Sequence, residues 1–294
     1  MYRIDLTGRR ALVAGVSDGN GFGFAIAKEL AEAGATVCLA VWPPALGVFE
    51  KLLALGKLDE ERRLSDGSLL EFETIVPMDA AFDRWQDVPE ATRQDRRYQE
   101  RGDISVQGAA QALSAAHGAP CLDFVVHSLA NAPEIGRPLL ETSRQGYLAA
   151  LGTSAYSMVS MLQHFGPLMR EGGAALSLTY LASQRVVAGY GGGMPSAKAA
   201  LESDTRVLAH EAGRRWNLRV NTLSAGPVAT RAATATGIID KLKAESERLS
   251  PLRGALTTRQ VAQAALFLCS PLASAITGQT LYVDNGYSVM AMAD

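Results

Sequence analysis

The chain has 294 residues, 48% hydrophobic and 20% charged, a profile that excludes a disordered polymer and fits a globular protein. Its 28 basic and 30 acidic residues are mixed along the chain, and the net charge of −2 gives no reason to expect nucleic acid or an anionic membrane as partner. Cys38, Cys121 and Cys269 stand far apart in apolar runs and read as buried free thiols, and the four histidines lack paired spacing, so no metal is expected.

The opening MYRIDLTGRR has no apolar signal core and leads straight into a strand; no later run has the length and apolarity of a bilayer span. Apolar, β-rich runs follow at 11–16, 36–41, 72–78, 123–129, 174–180, 218–224 and 279–284, several without polar alternation, as in parallel strands buried on both faces. Helical patterns lie between them at 22–33, 104–117, 142–169, 194–215 and 258–269, the first stopping at Gly34. This alternation predicts a single α/β domain over 1–294, a doubly wound, Rossmann-type parallel sheet of about seven strands. Two polar excursions break the rhythm, an insertion at about 43–72 and a charged stretch at 82–103. Each reads either as a solvated face or as part of a roof over a ligand at the sheet's carboxyl edge.

The first strand runs into Gly15-Val16-Ser17-Asp18-Gly19-Asn20-Gly21-Phe22-Gly23 before a helix, a place where glycine lets backbone approach a pyrophosphate at a helix N-terminus. The loop is longer than the usual dinucleotide fingerprint. After the second strand, where many NAD-binding chains carry an acidic residue, the sequence reads Ala40-Val41-Trp42-Pro43. It offers neither carboxylate nor arginine, so the phosphorylation state of the cofactor stays open there. Trp42 either lies against adenosine or packs beneath the insertion.

YLASQRVVAGYGGGMPSAK, residues 180–198, is the most informative stretch. A carbonyl reductase of the short-chain type needs tyrosine and lysine at i and i+4, yet Met194 stands four residues before Lys198 and Tyr190 stands eight before it. Three glycines after Tyr190 and Pro195, which suits the first helical position, place Tyr190 on a flexible loop and Lys198 in the first turn. A phenol set back in this way suits conjugate reduction, where charge collects on a thioester oxygen two carbons from the site of hydride addition.

These residues resemble the enoyl-acyl carrier protein reductases, especially the plant-chloroplast and apicomplexan branch of the divergent short-chain dehydrogenase/reductases. The likeness runs through GVSDGNGFGFAIAKELAEAGA, WPPALGVFE, GKLDEERRLSDGSL, HSLANAPE, PLLETSRQGYLAA, HFGPLM, YGGGMPSAKAALESDTRVLA, RVNTLSAGP and SPLASAITGQTLYVDNG. It implies that Tyr190 bonds the thioester oxygen, that Lys198 grips the nicotinamide ribose, and that Tyr180 is a second active-site tyrosine. It further implies that Gly15, Gly21 and Phe22 meet the pyrophosphate, Trp42, Asp79 and Ala80 the adenosine, and Ser128, Leu129 and Ala130 the nicotinamide half. Gly226, Pro227, Val228 and Thr230 fall at the nicotinamide amide, and Ala132 and Ala232 beside the acyl chain. The implied cofactor is NADH rather than NADPH, the partner acyl carrier protein, and the assembly a homotetramer in a bacterial cytosol or a plastid-like organelle. Phe24, Pro195 and Ala132 depart from that branch, where tryptophan, serine and glycine are usual.

The segment at about 228–250 combines Ile238, Ile239 and Leu242 with Lys241, Lys243 and Arg248. It reads as a mobile flap, apolar toward an acyl chain and basic toward an acidic carrier, or as an ordinary amphipathic helix. Two rival functions are a ketone reductase on the same fold and an NAD(H)-binding regulator without turnover.

Overall fold

A computed structural model describes residues 4–234 and 237–292, with the side chain of Ala232 outside that description. Seven strands form one sheet in the order β3-β2-β1-β4-β5-β6-β7, every pair parallel. In chain order they are β1 (Arg10–Ala14), β2 (Thr36–Val41), β3 (Phe72–Pro77), β4 (Leu122–His127), β5 (Met169–Thr179), β6 (Arg219–Ala225) and β7 (Thr280–Val283). Successive residues of the central strands feed opposite cores: Ala11 and Val13 join one apolar cluster, Leu12 and Ala14 the other. Covering both faces this way explains the unbroken apolar runs.

The helices are α1 (Phe22–Glu32), α2 (Pro43–Ala54), α3 (Asp59–Arg62), α4 (Glu90–Arg93), α5 (Val106–His117), α6 (Arg144–Leu151), α7 (Ser157–Phe165), α8 (Met194–Trp216), α9 (Arg231–Thr234), α10 (Ile239–Leu249) and α11 (Thr258–Cys269). Helices α1, α2 and α11 cover one face; α5, α7 and α8 cover the other. The order of strands reverses between β1 and β4, so a crevice opens beyond their carboxyl ends. Among the described residues no helix is long and apolar enough to cross a membrane.

One expectation needs correction. The stretch 142–169 is not one helix: α6 and α7 are separated by a π-helical turn, Gly152–Tyr156, and Met169 already belongs to β5. Side chains force the break, since the Ser154 hydroxyl is drawn to Asn131 and that of Ser157 bonds Thr153 O at 2.7 Å. The polar insertion after β2 is anchored by packing and ion pairs. Phe49 of α2 packs its ring 6.0 Å from Phe72, and buried Arg62 of α3 bonds Asp59 and Glu71.

At the opposite edge Asp123, 1% exposed, ties three central strands together. It accepts from the Arg10 amide at 2.8 Å, from Arg9 at 2.8 Å and from Arg170 at 2.5 Å. Asp123→Ala should lower unfolding free energy by about 2–3 kcal/mol, read in urea titrations, because it removes several charge-assisted bonds from a buried position.

Candidate active site

Immediately after β1 the chain turns at Gly15, whose φ is +97°. A Cβ there would overlap the Ser128 carbonyl, so the turns after β1 and β4 touch backbone to backbone and only glycine fits. Neighbouring bonds fix the approach: Gly15 N donates to Ala40 O at 3.1 Å and Ser128 N to Ala14 O at 2.9 Å. Gly21 is the N-cap of α1, with no side-chain hydrogen bond closing it, and Phe22 is the first helical residue. The positive helix end and its backbone N–H groups therefore face the loop, an arrangement that takes a diphosphate.

A carboxylate missing after β2 is supplied after β3. The Trp42 indole N–H donates to Asp79 Oδ2 at 3.0 Å, the Tyr98 hydroxyl donates to the same oxygen at 2.8 Å, and Ala81 N donates to Oδ1 at 3.0 Å. Trp42 is half exposed beside this buried carboxylate, not packed beneath the insertion, and Ala80 is buried next to it. Tyr98 went unread in the sequence: it sits in the charged 82–103 stretch with no motif around it, and only folding brings it to Asp79. Burial, and then Asp79, push its phenol well above the ordinary tyrosine range.

Beyond β4, Ser128 and Leu129 are half-buried and Ala130 is exposed. Asn131 N donates to Ser154 Oγ at 2.9 Å and Ser154 Oγ donates back to Asn131 O at 3.0 Å, so the π turn holds this segment. Buried His127 pairs with Ser157 at 2.6 Å; burial, reinforced by the charge of Lys198, drives its pKa down to about 3, so it is neutral. Ala132 joins a small cluster with Ala150, Met194 and Ala197, against which Tyr190 packs.

The rings of Tyr180 and Tyr190 meet edge to face, 5.2 Å between centroids. The Tyr180 hydroxyl is buried and has no hydrogen-bond partner among the described residues. Burial raises both phenols above their ordinary range, so both are protonated donors at neutral pH. Lys198, 5% exposed, donates to Leu178 O at 2.8 Å. Burial brings its pKa down to about 8, with Glu202 opposing the fall.

The loop bearing Tyr190 is held, not flexible. Gly191 N donates to Ile135 O at 2.9 Å and Gly192 N to Arg137 O at 3.0 Å. A Cβ on Gly192, where φ is +60°, would overlap the Glu134 backbone, and one on Gly193, where φ is +80°, would press the Tyr147 ring. Glu134 in turn accepts from Ser143 N at 2.8 Å and from its hydroxyl at 2.9 Å, which fixes the turn that the glycines lie on. Helix α8 starts at Met194, so Pro195 is its second residue and Lys198 its fifth, slightly deeper than the first turn.

After β6, Gly226 N donates to Val283 O at 2.9 Å, Gly226 and Pro227 are buried, and Val228 accepts from Thr230 N at 2.8 Å. The expectation for the Ala232 side chain, and residues 235–236 of the flap segment, lie outside the described residues. A Cβ on Gly189 would rest 3.4 Å from Ile238, so the segment after α9 approaches the tyrosine loop. Arg248 pairs with Glu245 at 2.7 Å on α10 and is not a free basic group.

Cys38, Glu73 and His117, distant in sequence, do come within ligating reach of one another. They lie at the far edge, Arg10 already pairs with Glu73 at 2.6 Å, and burial pushes the Cys38 thiol up to about 12. A guanidinium thus stands where a cation would bind. Gly192→Ala should cost about 1–2 kcal/mol in urea unfolding from the left-handed backbone alone, and should separate the Tyr180 and Tyr190 rings, read by near-ultraviolet circular dichroism.

The family model described as Enoyl-(Acyl carrier protein) reductase matches residues 78–288. The chain is 55% identical over 290 residues to the chloroplastic enoyl-[acyl-carrier-protein] reductase [NADH] of Arabidopsis thaliana, covering 99% of this chain and 74% of that one. It is 34% identical to the enoyl-[acyl-carrier-protein] reductase [NADH] FabI of Nostoc sp., covering 98% of this chain and all of that one. A crystal structure of Plasmodium berghei enoyl-acyl-carrier-protein reductase with triclosan superimposes with a TM-score of 0.94 at 45% identity, covering 98% of this chain and 100% of that chain. The chain belongs to the enoyl-acyl carrier protein reductase family.

Proposed function

We propose that this chain reduces the double bond of a trans-2-enoyl thioester borne by acyl carrier protein, with NADH as reductant, in the last reductive step of the fatty-acid elongation cycle. The residues fit the cofactor: backbone meets backbone at Gly15 and Ser128 beside the α1 terminus, which no side chain caps, and the Tyr180 hydroxyl is buried without a partner among the described residues. Asp79 at the adenosine end adds a negative charge that repels a 2′-phosphate, which favours NADH over NADPH. When bound, NADH supplies the hydride that adds to the β-carbon.

Negative charge then gathers on the thioester oxygen. Tyr190, protonated because burial raises its phenol, donates a hydrogen bond to that oxygen, and Tyr180 beside it supplies a second donor. Lys198 holds the ribose hydroxyls and carries a positive charge below about pH 8. The observation that carries this reading is the position of Tyr190: off helix α8, against Tyr180, in one apolar cluster with Ala132. The place a carbonyl reductase needs for its tyrosine is occupied by buried Met194, which disfavours a ketone substrate.

The same reading covers the partners. Ile239 is buried, Lys241 exposed and Lys243 half-buried on α10, so the helix turns its apolar side inward and carries both lysines toward an acidic carrier. A homotetramer is supported by exposed apolar side chains on two surfaces, Tyr156 and Val207 on the α7–α8 side and Val289 and Met292 near the end of the chain. Chloroplastic and bacterial relatives support action in a plastid-like organelle or a bacterial cytosol.

Tyr190→Phe should lower kcat by about a hundredfold with little change in NADH binding, and Lys198→Ala should chiefly raise the Kd for NADH. Crotonyl thioester should be consumed with NADH in preference to NADPH; brisk reduction of acetoacetyl thioester with crotonyl thioester inert would overturn the reading, and binding without turnover would leave the regulator. Charge reversal at Lys241 and Lys243 together should raise KM for a carrier-protein substrate about tenfold and leave a coenzyme A thioester unaffected, as expected for lost electrostatic steering.

A further inference from the structure

One buried charge beside the reacting groups is not used by this scheme. Glu202 lies four residues beyond Lys198 on α8, on the same helix face, and is 5% exposed. A carboxylate at that depth is tolerated only when its oxygens are satisfied. Thr179 Oγ1 donates to Oε1 at 2.8 Å and Gln184 Nε2 donates to Oε2 at 3.2 Å. These donors bracket Tyr180: Thr179 precedes it, and Gln184 caps the single 3-10 turn Leu181–Ser183 that follows. The carboxylate therefore fastens both ends of the turn that presents Tyr180. The Lys198 ammonium bonds Leu178 O at 2.8 Å, in the same strand and two residues before Tyr180.

We infer that Glu202 is a positioning residue that ties the turn of Tyr180 to the helix carrying Lys198, clasping that turn with its two oxygens. The inference rests on the proposed roles of Lys198 and Tyr180. Other titratable groups near the lysine or the Tyr180 turn do not substitute for it. His127, facing from β4, is neutral; Tyr180 and Tyr190, from the loops, are protonated phenols. Tyr282 on β7 has its phenol raised by burial and then by Glu202, and Asp284 is committed to the Gly286 and Ser288 amides at 3.0 and 2.9 Å. Burial pulls Lys198 down, and Glu202 is the charge that opposes it. Loss of that charge must lower the lysine's pKa further, so the ammonium would be lost at a lower pH.

The test is steady-state turnover of the full chain with NADH and crotonyl thioester across about pH 6–10, together with NADH titration at each pH. Glu202→Gln should move the alkaline limb of kcat/KM for NADH to lower pH by about one unit. Glu202→Asp retains the charge but shortens the reach, so its limb should stay in place while kcat falls about fivefold or more from a loosened Tyr180. Thr179→Val and Gln184→Met should behave like Glu202→Asp. Wild-type kcat in Glu202→Asp, Thr179→Val and Gln184→Met overturns the inference, as does a limb moved equally by Glu202→Gln and Glu202→Asp. Wild-type protein inert toward crotonyl thioester would instead overturn the proposed function itself, so the two failures are distinguishable.

Discussion

Everything at the carboxyl edge depends on one backbone contact, the approach of Gly15 to the Ser128 carbonyl. The two strands that precede these residues, β1 and β4, are hydrogen-bonded neighbours, but their connections leave in opposite directions across the sheet. Where they part, a side chain on residue 15 would push the turns apart and close the space before α1. Without it, a helix N-terminus, the turn after β4 and the Asp79 carboxylate after β3 share the carboxyl edge of the sheet. Each strand end contributes one function to it because parallel strands all finish on the same side.

A second constraint sets the chemistry. The glycines after Tyr190 do not supply freedom; they supply closeness. Gly191 and Gly192 lie on the turn 134–137, Gly193 on the Tyr147 ring, and Glu134 braces that turn through Ser143. The result is a phenol held off the helix that carries its lysine, facing a second phenol across 5.2 Å. Burial then keeps both hydroxyls protonated and the lysine close to its titration point. Preorganised donors in a dry pocket stabilise developing charge with little rearrangement, which is what an enolate requires.

Beneath this layer is a polar stratum that periodicity cannot reveal. Ser154 interrupts a helix to hold Asn131, His127 bonds Ser157, and Thr179 and Gln184 meet Glu202. Ser154, His127, Ser157, Thr179 and Glu202 are buried, so each needs a partner, and the partners come from elements far apart in sequence. Glu202 alone left a trace in the sequence, its spacing of one helical turn from Lys198.

By itself the sequence determined the parallel sheet, from unbroken apolar runs that only two-sided burial explains. It also determined the dinucleotide loop, from glycines set before a helix, and the unusual distance from Tyr190 to Lys198. Such features are local, because chain spacing fixes them before any long-range contact forms. Only the tertiary structure decided that Trp42 and Tyr98 converge on Asp79, that the stretch 142–169 breaks at a π turn, and that the glycine loop is clamped. Those outcomes turn on which distant polar groups become neighbours once water is excluded, and no spacing along one chain encodes that.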